Sequence, residues 1–304
     1  MNLKEHFTCT KILVFALPNI GTMLAITSFQ MIDGFFAANY LGVNAFAAIN
    51  LVFSLIMVFA APGFMIGSGG NAIISKSEGR LEQARKYFTM LVCVLLADGI
   101  LCGVLMWLFL PEILILIGAS EELMPYALEF GRIMFIFLPC MLTSTAFQSL
   151  WLAAGKPALG FRLSLLEGAI IVALDWLLIV QMNFGIDGAA LATSLAMLTS
   201  TIITLKYFSR PNSSGMHFTR FNFDVEKIIG VCYNGISEMA DAVSGNIIEL
   251  LMNLQLMKLI GEVGVAAFGV FSYVNEVFLS IFFALSTTTV TLVVLTTVDA
   301  IFRR

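Results

Sequence analysis

The chain has 304 residues, of which 59% are hydrophobic and 12% are charged, and its formal net charge is −4. Soluble domains are about 45–50% apolar and about 25% charged, so this composition, with a mean hydropathy of +0.95, excludes an ordinary soluble protein. Apolar runs recur along the sequence without the alternation of a membrane β-strand, which favours an all-α polytopic membrane protein.

Eight apolar segments are predicted to cross the membrane as helices, because each is long enough for a hydrocarbon layer of about 30 Å. Gly, Pro, Asn or charged residues separate them. The predicted spans are 12–38, 47–75, 87–110, 125–152, 161–183, 186–208, 228–257 and 264–298. The opening sequence MNLKEHFTCTK leads into a run too long for a signal peptide, so we expect the first span to be retained.

Basic residues predict the orientation of these spans. With a cytoplasmic N-terminus, fourteen of the sixteen lysines and arginines lie on the cytoplasmic side, whereas Lys258 lies outside and Arg132 lies within a span. Cytoplasmic loops of membrane proteins are enriched in Lys and Arg. We therefore expect a multi-pass protein of the inner (plasma) membrane whose partner is the lipid bilayer.

Residues that an enzyme or a metal centre would need are scarce. The five cysteines are scattered without a C-x-x-C pair, and the two histidines, His6 and His217, lie in polar segments. No H-E-x-x-H sequence and no nucleophile–histidine pair is present. We expect no enzymatic activity, no metal, no cofactor and no nucleic-acid partner.

Two segments of the chain are similar to each other and indicate an internal repeat. YLGVNAFAAINLVFSLIMVF (40–59) and LIGEVGVAAFGVFSYVNEVF (259–278) align with a shift of 219 residues, which pairs Gly42 with Gly261. Six spans separate the copies, so both have the same orientation, as in a parallel repeat. A six-span repeat predicts twelve spans, and we expect the C-terminal third, the last four spans of the second copy, to be missing. The expected parts are a six-helix lobe (1–208), a cytoplasmic linker (209–227) and an incomplete second lobe (228–304).

An ordered set of stretches spans most of the chain: FALPNIGTMLAITSFQMIDGFFAANYLGVNAFAA, PGFMIGSGGNAIISKSEGRLEQA, AAGKPALGF, ALDWLLIVQMNFGIDGAALATSLA and NGISEMADAVSGNIIELLMNLQLMKLIGEVGVAAFGVFSYV. In these stretches the chain resembles the MATE family of multidrug and toxic compound extrusion transporters. The resemblance implies two six-helix lobes around a central cavity. It also implies export of small amphipathic cations in exchange for Na⁺ or H⁺.

The resemblance further implies a coupling and substrate site in the first lobe. Asp33 in QMIDGFF, Asp175 in ALDWLLI and Thr193 in GAALATSLA match the family's two aspartates and its threonine. The family's asparagine, one turn before the second aspartate, falls on Ile171, so one oxygen ligand is lost. Trp176 stands where the family commonly has proline.

Physical reasoning about depth favours the same three residues. Ionisable groups inside a membrane are rare and usually face a cavity or a partner. Asp33, Asp175 and Thr193 can share one depth in the outer half of the membrane. Two carboxylates in a poorly hydrated site can share a proton, or both can ionise around a Na⁺ with the threonine hydroxyl as a further ligand. The alternative is a structural aspartate that is hydrogen-bonded to neighbouring helices.

Other acidic residues inside the spans form a second candidate set. The seventh span carries Glu238, Asp241 and Glu249, and the eighth carries Glu276. The family resemblance implies that carboxylates on these helices contribute to drug or cation binding. Glu167 lies near the cytoplasmic end of the fifth span, and Glu129 and Arg132 are spaced to pair with each other.

Two alternatives to an antiporter of cationic drugs stay open. A lipid-linked sugar flippase of the same superfamily would need several basic residues inside the spans to hold phosphates, but only Arg132 is there. A non-functional or accessory fragment of such a transporter is the other alternative, because alternating access moves one lobe against the other.

Overall fold

The computed structural model describes residues 9–75 and 81–302, and these residues form helices and short connections without a β-strand. Two π-helical segments extend the first and sixth α-helices, at Ala37–Leu41 and Trp176–Gln181. The α-helices are α1 (Cys9–Phe36), α2 (Val43–Ser75), α3 (Leu81–Leu116), α4 (Met124–Ile136), α5 (Leu138–Ala153), α6 (Pro157–Asp175), α7 (Gly185–Phe208), α8 (Val225–Ile260) and α9 (Glu262–Phe302).

The eight predicted spans correspond in order to these helices, with two differences. The predicted span 125–152 is bent by 62° into α4 and α5, because Phe137 leaves the helical conformation and Pro139 in the first turn of α5 has no N–H to donate. Residues 81–86, which the prediction places in the link between the second and third spans, belong to α3, since this helix includes Leu81. Lys4, Lys76, Arg80, Arg303 and Arg304, which contribute to the orientation argument, lie outside the described residues.

Five of the described helices are long and apolar enough to cross a membrane, and the bent pair α4–α5 makes a sixth. The five are Val43–Ile74, Leu81–Leu116, Pro157–Gln181, Gly185–Phe208 and Glu262–Phe282. The equally long α8 does not join them, since charged residues recur along it. The prediction of an all-α polytopic membrane fold is confirmed.

The backbone bears out the internal repeat. Gly42 and Gly261 both have positive φ angles, 87° and 82°, and ψ angles that differ by only about 30°. The next helix begins one residue later in each copy, α2 at Val43 and α9 at Glu262. Helix α1 packs on α9, and α2 packs on α8. In the repeat, α1 corresponds to α8 and α2 corresponds to α9. The α1–α9 contact is thus the equivalent of the α8–α2 contact, as expected for two similar units related by a two-fold axis.

Glycines bring α2 close to its neighbours. A Cβ atom added at Gly69 would overlap the carbonyl oxygen of Val231 on α8, and one added at Gly235 would overlap that of Met65 on α2. On another part of α2, a Cβ at Gly67 would lie 2.7 Å from the carbonyl oxygen of Ala146 on α5. Small residues allow helix backbones to approach closely in membranes, so α2 forms the centre of the packed helices.

The connection 209–224 between α7 and α8 lies against the start of α3. Arg85 Nε donates to the carbonyl of Gly215 at 2.7 Å, and the Thr219 N–H donates to Thr89 Oγ1 at 3.1 Å. The ring of Phe218 stacks on Phe88 at a centroid distance of 5.7 Å. The division into two lobes at this linker stays a prediction.

Candidate functional site

Asp33 and Asp175 both lie where an α-helix changes into a π-helical segment. Asp33 is four residues before the π-helical turn at Ala37, and Asp175 is the last residue of α6, directly before the π-helical turn at Trp176. The two π-helical segments contact each other. π-helical turns inside α-helices are rare and are frequent at functional sites. This feature of the site was not foreseen from the sequence.

A glycine lets the two helices come together near these aspartates. A Cβ atom added at Gly168 would lie 2.6 Å from Cγ of Phe29. Gly168 is about two turns before Asp175 on α6, and Phe29 is about one turn before Asp33 on α1. The close approach of the helices at this level brings the following turns, which carry the aspartates, into contact.

The carboxyl groups of Asp33 and Asp175 lie within hydrogen-bonding range of each other. Asp175 is fully buried, with 0% of its surface exposed, whereas Asp33 is half-buried. Both oxygens of Asp175 are buried, and no donor among the described residues reaches them. An ionised carboxylate can only accept hydrogen bonds. The two carboxyl groups can therefore lie in contact without net repulsion only if one carries a proton or a cation binds beside them.

Thr193 lies on α7, the helix packed against α6, and is buried. Its hydroxyl does not bond Asp175, because both oxygens of Asp175 are without a donor among the described residues. Ile171, one turn before Asp175, supplies no oxygen at the place where the family has an amide. The structure therefore brings the two predicted aspartates together but does not join the predicted threonine to them by a hydrogen bond.

Tyr273 on α9 is a member of this neighbourhood that sequence reasoning missed. Its ring lies against Gly34, where an added Cβ would be 2.6 Å from the tyrosine Cε2, and it stacks on Phe46 at 6.3 Å. The negative charges of Asp33, Glu249 and Asp175 all act on its hydroxyl. Tyr273 thus lies between the aspartate pair of the first repeat and an acidic residue of the second. Its phenolic oxygen is one of several polar groups in a segment that also carries Ser272, Asn275 and Glu276, so the sequence did not set Tyr273 apart.

The four acidic residues predicted for the second lobe divide into two groups. Glu249 is half-buried and lies close enough to Glu276 for their charges to interact. Asp241 lies eight residues before Glu249, or about 12 Å along α8, and Glu238 lies farther away still. Both of these are exposed. The structure therefore brings Glu249 and Glu276 together, and Glu238 and Asp241 belong to another part of the helix.

In the described part of the chain, no three side chains of His, Cys, Asp or Glu converge as they would around a metal ion. Arg132, the basic residue predicted to lie within a span, does not provide a charged partner for the aspartates. Arg132 is exposed and lies over the ring of Trp107 at 5.6 Å, rather than pairing with Glu129 as predicted.

Comparison with known proteins identifies the family. The MatE family profile matches residues 18–177, which include Asp33 and Asp175. The chain belongs to the MatE family. Members of this family are transporters rather than enzymes, so the predicted resemblance and the absence of enzyme function are confirmed.

Two curated relatives of this MatE protein are named for multidrug export or multidrug resistance. Over 203 residues it is 25% identical to the multidrug export protein MepA of Staphylococcus haemolyticus, an alignment that covers 66% of this chain and 45% of the relative. Over 281 residues it is 24% identical to the probable multidrug resistance protein YoeA of Bacillus subtilis, covering 87% of this chain and 58% of the relative. The chain therefore spans about half the length of these relatives.

Solved MATE structures share the fold of this MatE protein. A multidrug resistance MATE family transporter of the MOP superfamily, solved in an inward-facing conformation, superposes with a TM-score of 0.81 at 20% identity. The match covers 91% of this chain and 64% of that one. At this identity the likeness establishes the fold, that of a multi-pass helical membrane protein.

Proposed function

We propose that this MatE protein takes part in the export of amphipathic cationic compounds by exchange with Na⁺ or H⁺. The single observation that carries the proposal is the contact between Asp33 and a fully buried Asp175 whose oxygens lack a donor among the described residues. A buried negative charge without a partner is costly, so the pair has a strong preference for a bound proton, Na⁺ or organic cation. The proton, Na⁺ and the organic cation compete for the same two carboxyl groups.

The exchange arises because the cationic compound and the coupling ion compete for the aspartate pair. A cationic compound binds while the carboxyl groups are free of Na⁺ and H⁺, and arrival of the coupling ion from outside removes the charge that holds it. Each ligand shifts the conformational equilibrium only by its difference in affinity between the two access states. Thr193 and the Glu249–Glu276 pair on the second repeat are further candidates for contact with substrate or ion.

The charge of the site favours a cationic substrate over a lipid-linked sugar phosphate. Tyr273 and the acidic Glu249 lie near the pair, whereas Arg132 is exposed and lies over Trp107. A phosphate would meet repulsion from Asp33, Asp175 and Glu249. We further propose that the N-terminus is cytoplasmic, since most basic residues then lie on the cytoplasmic side.

The experiment expresses this chain in a bacterium that lacks its own drug efflux pumps and measures accumulation of ethidium. We expect the chain to lower accumulation, and Asp33→Asn or Asp175→Asn to abolish this effect. Asp98→Asn is the matched control, because Asp98 is an acidic residue of α3 whose described side-chain partner is Cys102. Retained efflux in both site variants, or equal loss in Asp98→Asn, would refute the role of the pair. No lowering by the chain itself would favour the accessory-fragment alternative.

A further inference from the structure

A small polar cavity lies between α5, α6 and α7, away from the aspartate pair. Its volume is about 20 Å³, enough for one water molecule or one small ion. Hydroxyl groups dominate its walls, and it contains one carboxylate, that of Glu167. The polar residues that line it are Thr143, Ser144, Gln148, Ser164, Glu167, Ser200, Thr201 and Thr204.

Glu167 is held in this cavity by hydroxyl groups from both neighbouring helices. Ser144 on α5 donates to Glu167 Oε2 at 3.1 Å and to Oε1 at 3.4 Å. Ser200 on α7, which is buried, lines the same cavity and lies close to the carboxylate. Burial makes the charge of this carboxylate costly, and hydrogen bonds from hydroxyl groups offset part of that cost. Each hydroxyl oxygen keeps lone pairs that are free to bind a cation.

The negative charge of Glu167 has no basic counterpart in the cavity. None of the lining residues is Lys, Arg or His. Glu167 lies eight residues before Asp175, about 12 Å along α6, so the aspartate pair does not share its ligand. A carboxylate at this depth within a helix bundle usually has a partner, and the cavity has room for one.

We propose that Glu167, Ser144 and Ser200 form a second cation site that binds Na⁺. The ligands are hard oxygen atoms with a single negative charge, which matches a monovalent ion. Ca²⁺ takes six to eight oxygen ligands, and Mg²⁺ keeps several of its waters, so neither fits a cavity of about 20 Å³. The side-chain oxygens of Gln148 and Thr204 complete the neighbourhood.

Trp151 lines the same cavity and provides a reporter that does not depend on transport. The chain has three tryptophans, and the other two, Trp107 and Trp176, are exposed to 41% and 51%. The parent for the test is the purified full chain with Trp107→Phe and Trp176→Phe. Its fluorescence is titrated with NaCl at constant ionic strength, with KCl and choline chloride as controls.

We expect Na⁺ to change Trp151 emission with saturation, whereas K⁺ and choline have no such effect. Glu167→Gln should abolish the response, and Ser144→Ala should weaken apparent Na⁺ affinity by about tenfold, because it removes a hydrogen bond to a charged group. The pair Asp33→Asn and Asp175→Asn should leave the response unchanged, which separates this site from the proposed export site.

Three outcomes overturn the proposal: a response that survives Glu167→Gln, an equal response to K⁺, or a response that follows pH alone. If Glu167→Gln does not fold, Ser144→Ala and Ser200→Ala take its place, and unchanged Na⁺ affinity in both overturns the site. If the chain does not export ethidium but still shows the Na⁺ response, the proposed export function is refuted and the Glu167 site is not.

Discussion

The side chain of Asn50 on α2 lies against Gly269 on α9, and these two residues are equivalents of each other in the internal repeat. A Cβ atom added at Gly269 would be 2.5 Å from Asn50 Nδ2. The amide of Asn50 is fixed, because Nδ2 donates to the carbonyl of Phe46 at 2.8 Å. A residue that contacts its own equivalent lies at the axis relating the two copies. Asn50 and Gly269 therefore mark the pseudo-two-fold axis of the molecule.

Gly269→Ala is expected to destabilise the protein by about 1–3 kcal/mol, since the new methyl group overlaps a buried, anchored amide. Gly245→Ala on α8 is the matched control, because an added Cβ there meets nothing within 4 Å. That control should be neutral or stabilising by about 0.5–1 kcal/mol through the better helix propensity of alanine. Thermal unfolding of both purified variants in one detergent checks this, and equal midpoints would contradict the axial contact.

Sequence reasoning succeeded for this axis because a repeat is visible in residue identity. The shift that aligned Gly42 with Gly261 also reproduced the helix starts at Val43 and Glu262. Hydropathy alone missed the 62° bend between α4 and α5, since the apolar pattern continues through Phe137, although Pro139 carries a sequence signal for a break. The π-helical turns were equally hidden, because hydropathy does not distinguish an α-turn from a π-turn.

The site was partly predictable for the same reason. Asp33 and Asp175 stand out as charges in apolar runs, so their contact could be anticipated. The lack of a hydrogen bond from Thr193 depends on the rotation of α7 about its axis, which composition does not encode. Tyr273 was missed because its proximity to the aspartates arises from packing between α1 and α9, helices distant in sequence.

Contact between Asp33 and Asp175 predicts coupled effects on stability. Replacing either with Asn supplies an N–H₂ donor to the remaining carboxylate and removes one buried charge. Each single variant is therefore expected to unfold at a higher temperature than the parent in Na⁺-free buffer. The double variant should depart from additivity by about 0.5–3 kcal/mol.

A double-mutant cycle of thermal unfolding measures this coupling. Asp98→Asn combined with each site variant is the control, because Asp98 interacts with Cys102 on its own helix, and its effects should add. Additive effects of Asp33→Asn and Asp175→Asn would show that the two carboxyl groups act independently.

Tyr273 combines a packing role with a polar one, and two substitutions separate them. Tyr273→Phe keeps the ring against Gly34 and Phe46 and removes the hydroxyl near the acidic residues. It is expected to reduce ethidium export while leaving the unfolding temperature nearly unchanged. Tyr273→Ala also loses the buried ring contacts and should cost about 3 kcal/mol or more of stability.

Tyr233→Phe serves as the control for the hydroxyl, because Tyr233 is 81% exposed. If Tyr273→Phe exports ethidium as well as the parent does, the hydroxyl has no role in export and Tyr273 contributes only to packing. The comparison is informative because both variants keep an aromatic ring of the same size.

Arg85 is expected to hold the linker between α7 and α8 in place, since its Nε donates to the carbonyl of Gly215 at 2.7 Å. The linker contains one trypsin site, Arg220, because Arg210 is followed by Pro211 and trypsin does not cleave that bond. A hydrogen bond from a charged group contributes about 1.5–3 kcal/mol, and 1.4 kcal/mol corresponds to a tenfold change in an equilibrium. Arg85→Ala should therefore speed tryptic cleavage in the linker by about tenfold or more.

Lys86→Ala is the neighbouring control for this cleavage. Lys86 forms only an exposed ion pair with Glu82, at 2.8 Å on the same helix, and such pairs contribute little. Linker cleavage in Lys86→Ala should thus match the parent, and equal rates in Arg85→Ala and Lys86→Ala would rule out the Gly215 bond as the restraint. Thr89→Val removes the bond to the Thr219 N–H but keeps side-chain volume, so it should give an intermediate rate. The cleavage rate should therefore fall in the order Arg85→Ala, Thr89→Val, Lys86→Ala. A hydrogen bond from a charged donor is stronger than one to a neutral hydroxyl, and an exposed ion pair contributes least.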